Sequence, residues 1–121
     1  MSRNVQSLIT LAYKESLKGI HKHQRIGAVL LKGGSVIGKE YNISRPYGDY
    51  NRGSHAEERL LNKNAGKTQG ATLIVARSNK NGKLCSMSRP CHICYPLVKK
   101  SGIKKIIYVD WDEKIVIERV K

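Results

Sequence analysis

The 121-residue chain has no phenylalanine and one tryptophan, so its interior must come from aliphatic side chains and six tyrosines. Acidic residues are scarce, nine against 23 lysines and arginines, which leaves a net charge of +14. Such a field repels cationic partners and attracts polyanions or phosphorylated ligands. Three cysteines, an odd number, exclude a fully paired disulfide framework and fit a reducing compartment. Long apolar runs are missing: Ile26 to Leu31 is far below the roughly 18 residues that cross a bilayer. Leu8 to Tyr13 is too short and too interrupted for a secretory signal. The chain therefore reads as soluble and cytoplasmic, with no membrane partner. Its length and its 40% hydrophobic content suit one domain over residues 1–121.

Periodicity supplies the elements. Ser2 can cap a helix from Arg3 to Lys18, with Val5, Leu8, Ile9, Ala12 and Leu17 on one side and Gly19 ending it. Ile26 to Lys32 and Ser35 to Tyr41 flank Gly33-Gly34, the pattern of a β-hairpin. A polar loop, Asn42 to Gly53, leads to a helix from Ser54 to about Asn64. The unbroken apolar run in Ala71 to Arg77 reads as a buried strand. Ser78 to Arg89 reads as a loop, and Pro90 opens a third helix that ends near Lys100 and Gly102. Lys105 to Asp110 and Ile115 to Val120 form a closing hairpin. The order α-β-β-α-β-α-β-β predicts an α/β fold.

Chemistry concentrates in two segments, Ser54-His55-Ala56-Glu57 and Pro90-Cys91-His92-Ile93-Cys94. Cys91 and Cys94 stand i, i+3, so their sulfurs share one helix face in the first turn, where backbone N–H groups favour thiolates. His55 and Glu57 at a helix start can converge above its N-terminus. Two helix ends meeting there would gather His55, Cys91 and Cys94 around one Zn²⁺ and leave a fourth position for water. A zinc ion so held lowers the pKa of its water to about 7, and Glu57 can move the proton. Such a site removes an amino group from a heteroaromatic ring by hydrolysis. Two other readings stay open. Ser54-x-x-Glu57 is also a capping box, and Cys85, six residues before Cys91, could close a structural zinc site.

The pairing of His-x-Glu with Pro-Cys-x-x-Cys resembles the zinc-dependent cytidine and deoxycytidylate deaminase superfamily, which includes tRNA adenosine deaminases. The resemblance implies a three-layer α/β/α fold with a mixed five-stranded sheet, Zn²⁺ as cofactor, His55, Cys91 and Cys94 as ligands, and Glu57 as catalytic acid/base. It also implies a homo-oligomer. Asn42 sits where the family often places a substrate-contacting asparagine, and Ala56, Ser88 and Arg89 join it as substrate-binding candidates. A histidine as first ligand resembles the deoxycytidylate and tRNA-type branch. The expected antiparallel ending resembles the free-nucleoside enzymes. Ser86-Met87-Ser88-Arg89-Pro90 departs from the Thr-Leu-Glu-Pro of tRNA-type members.

The reading is deamination of cytosine to uracil in a phosphate-bearing nucleotide or single-stranded nucleic acid. A tRNA-type adenosine deaminase and a nucleic-acid-binding module with structural zinc are the alternatives. Tyr47, Tyr50 and Arg52 supply rings for stacking and a guanidinium for phosphate, or else only the turn residues of a loop. Lys22, His23, Arg25, Arg89, Lys99, Lys100, Lys104 and Lys105 could form one phosphate-attracting face, or a solvated surface.

Overall fold

The computed structural model describes residues 4–18, 25–41, 56–78, 84–85, 95–110, 112 and 114–120. Helix α1 (Val5–Ser16) starts later than the sequence pattern predicts. Asn4 rather than Ser2 is its N-cap: the Asn4 side chain accepts from the Ser7 N–H at 2.7 Å, and its extended backbone marks the boundary. Leu8, Ile9 and Ala12 are buried as expected, but the helix stops at Ser16 and Leu17 turns outward, 42% exposed.

Strands β1 (Arg25–Lys32) and β2 (Ser35–Tyr41) form the predicted antiparallel hairpin. Gly33 and Gly34 both take positive φ, 59° and 81°, which lets a two-residue turn follow the strand twist. Helix α2 (Ala56–Lys63) precedes β3 (Thr72–Ser78). The span expected to be loop contains a two-residue strand, β4 (Leu84–Cys85), too short to leave a periodic signature. Helix α3 (Tyr95–Lys100), β5 (Lys105–Val109) and β6 (Ile115–Arg119) complete the order.

The five predicted strands run β2-β1-β3-β5-β6, a mixed sheet in which β3 and β5 are parallel and the other neighbours antiparallel. β1 covers one edge of β3 along its whole length. The other edge is divided: β5 pairs with Thr72 to Ile74, and β4 with Arg77 and Ser78. β3 is thus the most enclosed strand, in keeping with its apolar run.

Helices cover both faces. On one, Leu8, Ile9 and Ala12 of α1 meet Val29, Ile74, Ala76, Ile107 and Val109. On the other, Ala56, Leu60 and Leu61 of α2 and Val98 of α3 meet Ala28, Leu30, Leu73, Val75 and Ile106. Gly27 fixes how closely α1 approaches, because a Cβ there would strike the Ala12 carbonyl and the Ser16 amide. The seam ends in a buried hydroxyl pair, with Ser16 Oγ 2.8 Å from Ser78 Oγ. These layers give the expected α/β architecture.

Candidate active site

The directions of α2 and α3 follow from their contacts. Along β2, Gly38 lies against Leu60 and Asn64, while Tyr41 lies 5.6 Å beneath the Arg59 guanidinium. The start of α2 therefore points toward the end of β2, which lines up with the carboxyl end of β3. Helix α3 packs beside α2. The segments that follow them are tied by Thr68 Oγ1, which donates to the Ser101 carbonyl at 2.6 Å, and by the Gly70 amide, which donates to the Gly102 carbonyl at 2.8 Å. Each helix then feeds one of two parallel strands. Both N-terminal ends point toward the carboxyl ends of β3 and β5, the side of an open α/β sheet where ligand crevices form.

Glu57 is the second residue of α2 and is only 3% exposed. It precedes Leu60 and Leu61 by three and four residues, so helical spacing turns it to the core-facing side. Ala56 is fully buried, its methyl packed in the same apolar layer. The other named candidates, His55, Cys91, Cys94, Asn42, Tyr47, Tyr50, Arg52, Ser88 and Arg89, lie outside the described residues. So does Ser54, the other half of the capping box. Among the described residues, no three His, Cys, Asp or Glu side chains gather into a metal-sized group. Cys85, weighed as a fourth ligand, belongs to β4 and pairs with Arg77.

Helix α2 is held against β2 by charge. Glu40 of β2, 7% exposed, accepts from Arg59 Nη2 and from Lys63 Nζ, each at 2.8 Å and on different carboxylate oxygens. Burial alone would raise the Glu40 pKa. The Lys63 hydrogen bond and the Arg59 charge outweigh it and hold the carboxyl below its ordinary 4.5. The pair fixes the rotation of the helix that carries Glu57.

Sequence reasoning missed Arg77. It lies on the α2–α3 side of β3 by strand alternation with Leu73 and Val75, near the carboxyl end. It is half-buried, and its Nε is buried with no hydrogen bond among the described residues. The signal was an arginine closing an otherwise apolar strand.

The predicted basic face is not one surface. Arg25 pairs with Ser78 at one end of the sheet, and Lys105 with Thr72 at the other. Proximity in sequence says nothing about which end of a strand a lysine occupies. Lys22, His23 and Arg89 are outside the described residues.

Comparison with known proteins agrees with this fold. A cytidine deaminase from Burkholderia pseudomallei has a TM-score of 0.74 at 18% identity, with 98% of this chain and 94% of that one covered. A dCMP deaminase from the cyanophage S-TIM5 has a TM-score of 0.65 at 22% identity, covering 86% of this chain and 80% of that one. A diaminohydroxyphosphoribosylaminopyrimidine deaminase/reductase from Thermotoga maritima has a TM-score of 0.59 at 26% identity, covering 86% of this chain but 28% of that one. No curated protein sequence matches the chain. Residues 2–110 match the cytidine and deoxycytidylate deaminase zinc-binding region. With nearly its whole length matched and its sheet and helices in the same arrangement, the chain belongs to the cytidine and deoxycytidylate deaminase family.

Proposed function

We propose that this chain is a zinc-dependent hydrolytic deaminase that converts cytosine to uracil in a phosphate-bearing (deoxy)cytidine nucleotide. The observation that carries the reading is a buried carboxylate, Glu57, at the start of a helix that points with α3 toward one end of the sheet. A carboxylate that only capped a helix would have no need of burial, which is costly for a charge.

The donor set fits zinc. His55 is one peptide bond before α2, and Cys94 is one before α3, with Cys91 three residues earlier. One imidazole and two thiolates, next in sequence to two helices whose N-terminal ends point to the same end of the sheet, suit a borderline-soft ion and leave one position open. Bound there, zinc supplies hydroxide at neutral pH. Glu57 then has a defined task. It takes a proton from the attacking water, holds it on its carboxylate, and gives it to the ring nitrogen beside the reacting carbon. The second proton of that water, released from the new hydroxyl group as it becomes the ring carbonyl, passes through Glu57 to the amine, so water enters and ammonia leaves.

Two features narrow the substrate. The antiparallel β5–β6 ending, which resembles the free-nucleoside enzymes, supports a cytidine compound over the tRNA-type adenosine branch and says nothing for a phosphate. The Arg77 guanidinium, half-buried and without a hydrogen bond from its Nε among the described residues, supports a phosphate on the substrate. One cyanophage S-TIM5 dCMP deaminase structure, with a TM-score of 0.63 and 21% identity, holds dCMP and dUMP. The test compares ammonia release from cytidine, deoxycytidine and their monophosphates in wild type and Arg77→Gln. Arg77→Gln is expected to lower kcat/KM for the monophosphates by about tenfold, the weight of one charged hydrogen bond, and to leave the nucleosides unchanged. Equal losses on both would remove Arg77 from phosphate recognition. No release from any cytosine compound would overturn the substrate assignment.

A further inference from the structure

At the end of the sheet away from Glu57, positive charge is arranged in a way that the reaction does not use. Lys105 of β5 stands directly opposite Arg119 of β6 in the antiparallel ladder. Like charges opposed on one face of a sheet are destabilising. Lys104 joins them, its backbone held on both sides: its amide donates to Ala71 at 2.9 Å and its carbonyl accepts from Val120 at 3.0 Å. Among the described residues, these three side chains line a cavity of about 140 Å³. A water molecule's share of liquid is about 30 Å³, so the space takes a tetrahedral oxyanion with part of its hydration.

No described carboxylate lines that cavity. The described ion pairs all lie elsewhere, on Glu15 and Glu40. Glu118, next to Arg119, faces the other side of the sheet, where it accepts from the Tyr108 hydroxyl at 3.0 Å. Lys99 and Lys100 close α3 at the same end of the sheet and add to the field. Three cationic residues that line one cavity, with no carboxylate lining it among the described residues, call for an anion from solution. One guanidinium and two ammonium groups together suit the oxygens of a phosphate.

The position separates this cavity from the proposed chemistry. Lys105 pairs with Thr72, six residues before Ser78, or about 20 Å along β3 at roughly 3.3 Å per residue. By strand alternation Lys105 and Arg119 share the side of Ile107, the α1 face, whereas Glu57 and Arg77 belong to the α2–α3 face. A mononucleotide in the reacting site does not span that path. We propose that Lys104, Lys105 and Arg119 form a second, separate phosphate-binding site, filled either by a free phosphate compound or by the backbone of a nucleic acid strand.

The test uses wild type, Arg119→Gln and Lys105→Gln, each in full length. Thermal unfolding in sodium phosphate and in sodium chloride at matched ionic strength reads the site directly. Phosphate is expected to raise the wild-type Tm over chloride by about 2–4 °C, as a ligand specific to the folded state does. Each variant should lose half or more of that increment, while its Tm in chloride holds or rises because the opposed charges are relieved. Titration of a fluorescent single-stranded oligonucleotide separates the sources. A strand phosphate predicts that each variant lowers the slope of log affinity against log salt by about one. A free phosphate compound predicts an unchanged slope together with the lost Tm increment. If both variants keep the wild-type increment and the wild-type slope, the proposal is wrong. An increment equal in all three proteins is general salt stabilisation and contradicts it equally.

Discussion

Along the α2–β2 seam, two cations share one buried carboxylate: Arg59 and Lys63 each reach an oxygen of Glu40 at 2.8 Å. At the β5–β6 corner, Lys105 faces Arg119 across the ladder, and no described carboxylate lines the cavity they share with Lys104. The chain carries +14, so most of its cations cannot find an internal partner. At the seam one carboxylate, Glu40, fastens the helix that carries Glu57. At the corner no described carboxylate lines the cavity, and an anion from solution can neutralise the charge.

Glu40→Ala should break the seam most severely. It strands a guanidinium that is 21% exposed beside the core, and the expected cost is about 2–3 kcal/mol in urea unfolding. A loss below about 0.5 kcal/mol would rank the seam with ordinary surface pairs. The same carboxyl makes the comparison depend on pH. Its folded pKa is depressed, so its contribution is complete above the ordinary value of 4.5 and disappears as pH falls through the lower folded value. The stability gap between wild type and Glu40→Gln should therefore hold above pH 4.5 and shrink progressively as pH falls below it. A gap that is constant down to pH 3 would contradict the assigned pairing.

Lys63→Ala should cost much less, about 0.5 kcal/mol, because its side chain is 61% exposed and water replaces the ion pair. Arg119→Gln sharpens the contrast by its sign. Removing a cation from the seam destabilises, but removing one from the corner should stabilise the protein in chloride by about 0.2–1 kcal/mol. Destabilisation there would mean that Arg119 has a structural partner and is not held in reserve for an anion.

Elements with strong local patterns were legible in the sequence. Gly33-Gly34 between two alternating runs gave the hairpin, and the apolar run after Gly70 gave the enclosed strand β3. Boundaries were less legible, because Ser2 and Asn4 can both cap and only the Ser7 amide chooses Asn4. Strand β4 has two residues and no period to detect, and its existence depends on the free half of β3's edge. Leu17 follows the apolar stripe in sequence but lies beyond the last helical turn, so the stripe overstates its burial. Within the site, the burial of Glu57 could have been read from Leu60 and Leu61 at i+3 and i+4. Arg77 stood out as the one cation in an otherwise apolar strand, whereas the Lys105–Arg119 pair could not be read, since it depends on the register of the β5–β6 hairpin.

The most direct measurement is zinc content and ammonia release in Glu57→Gln beside wild type, with a cytidine nucleotide as substrate. One zinc per chain should remain in both proteins, since the amide keeps the shape of the side chain and the proposed ligands are His55, Cys91 and Cys94. Ammonia release should fall by about 10²-fold or more, the weight of a general acid–base group. Wild-type turnover in Glu57→Gln would contradict the account, and so would a variant that lost its zinc along with its activity.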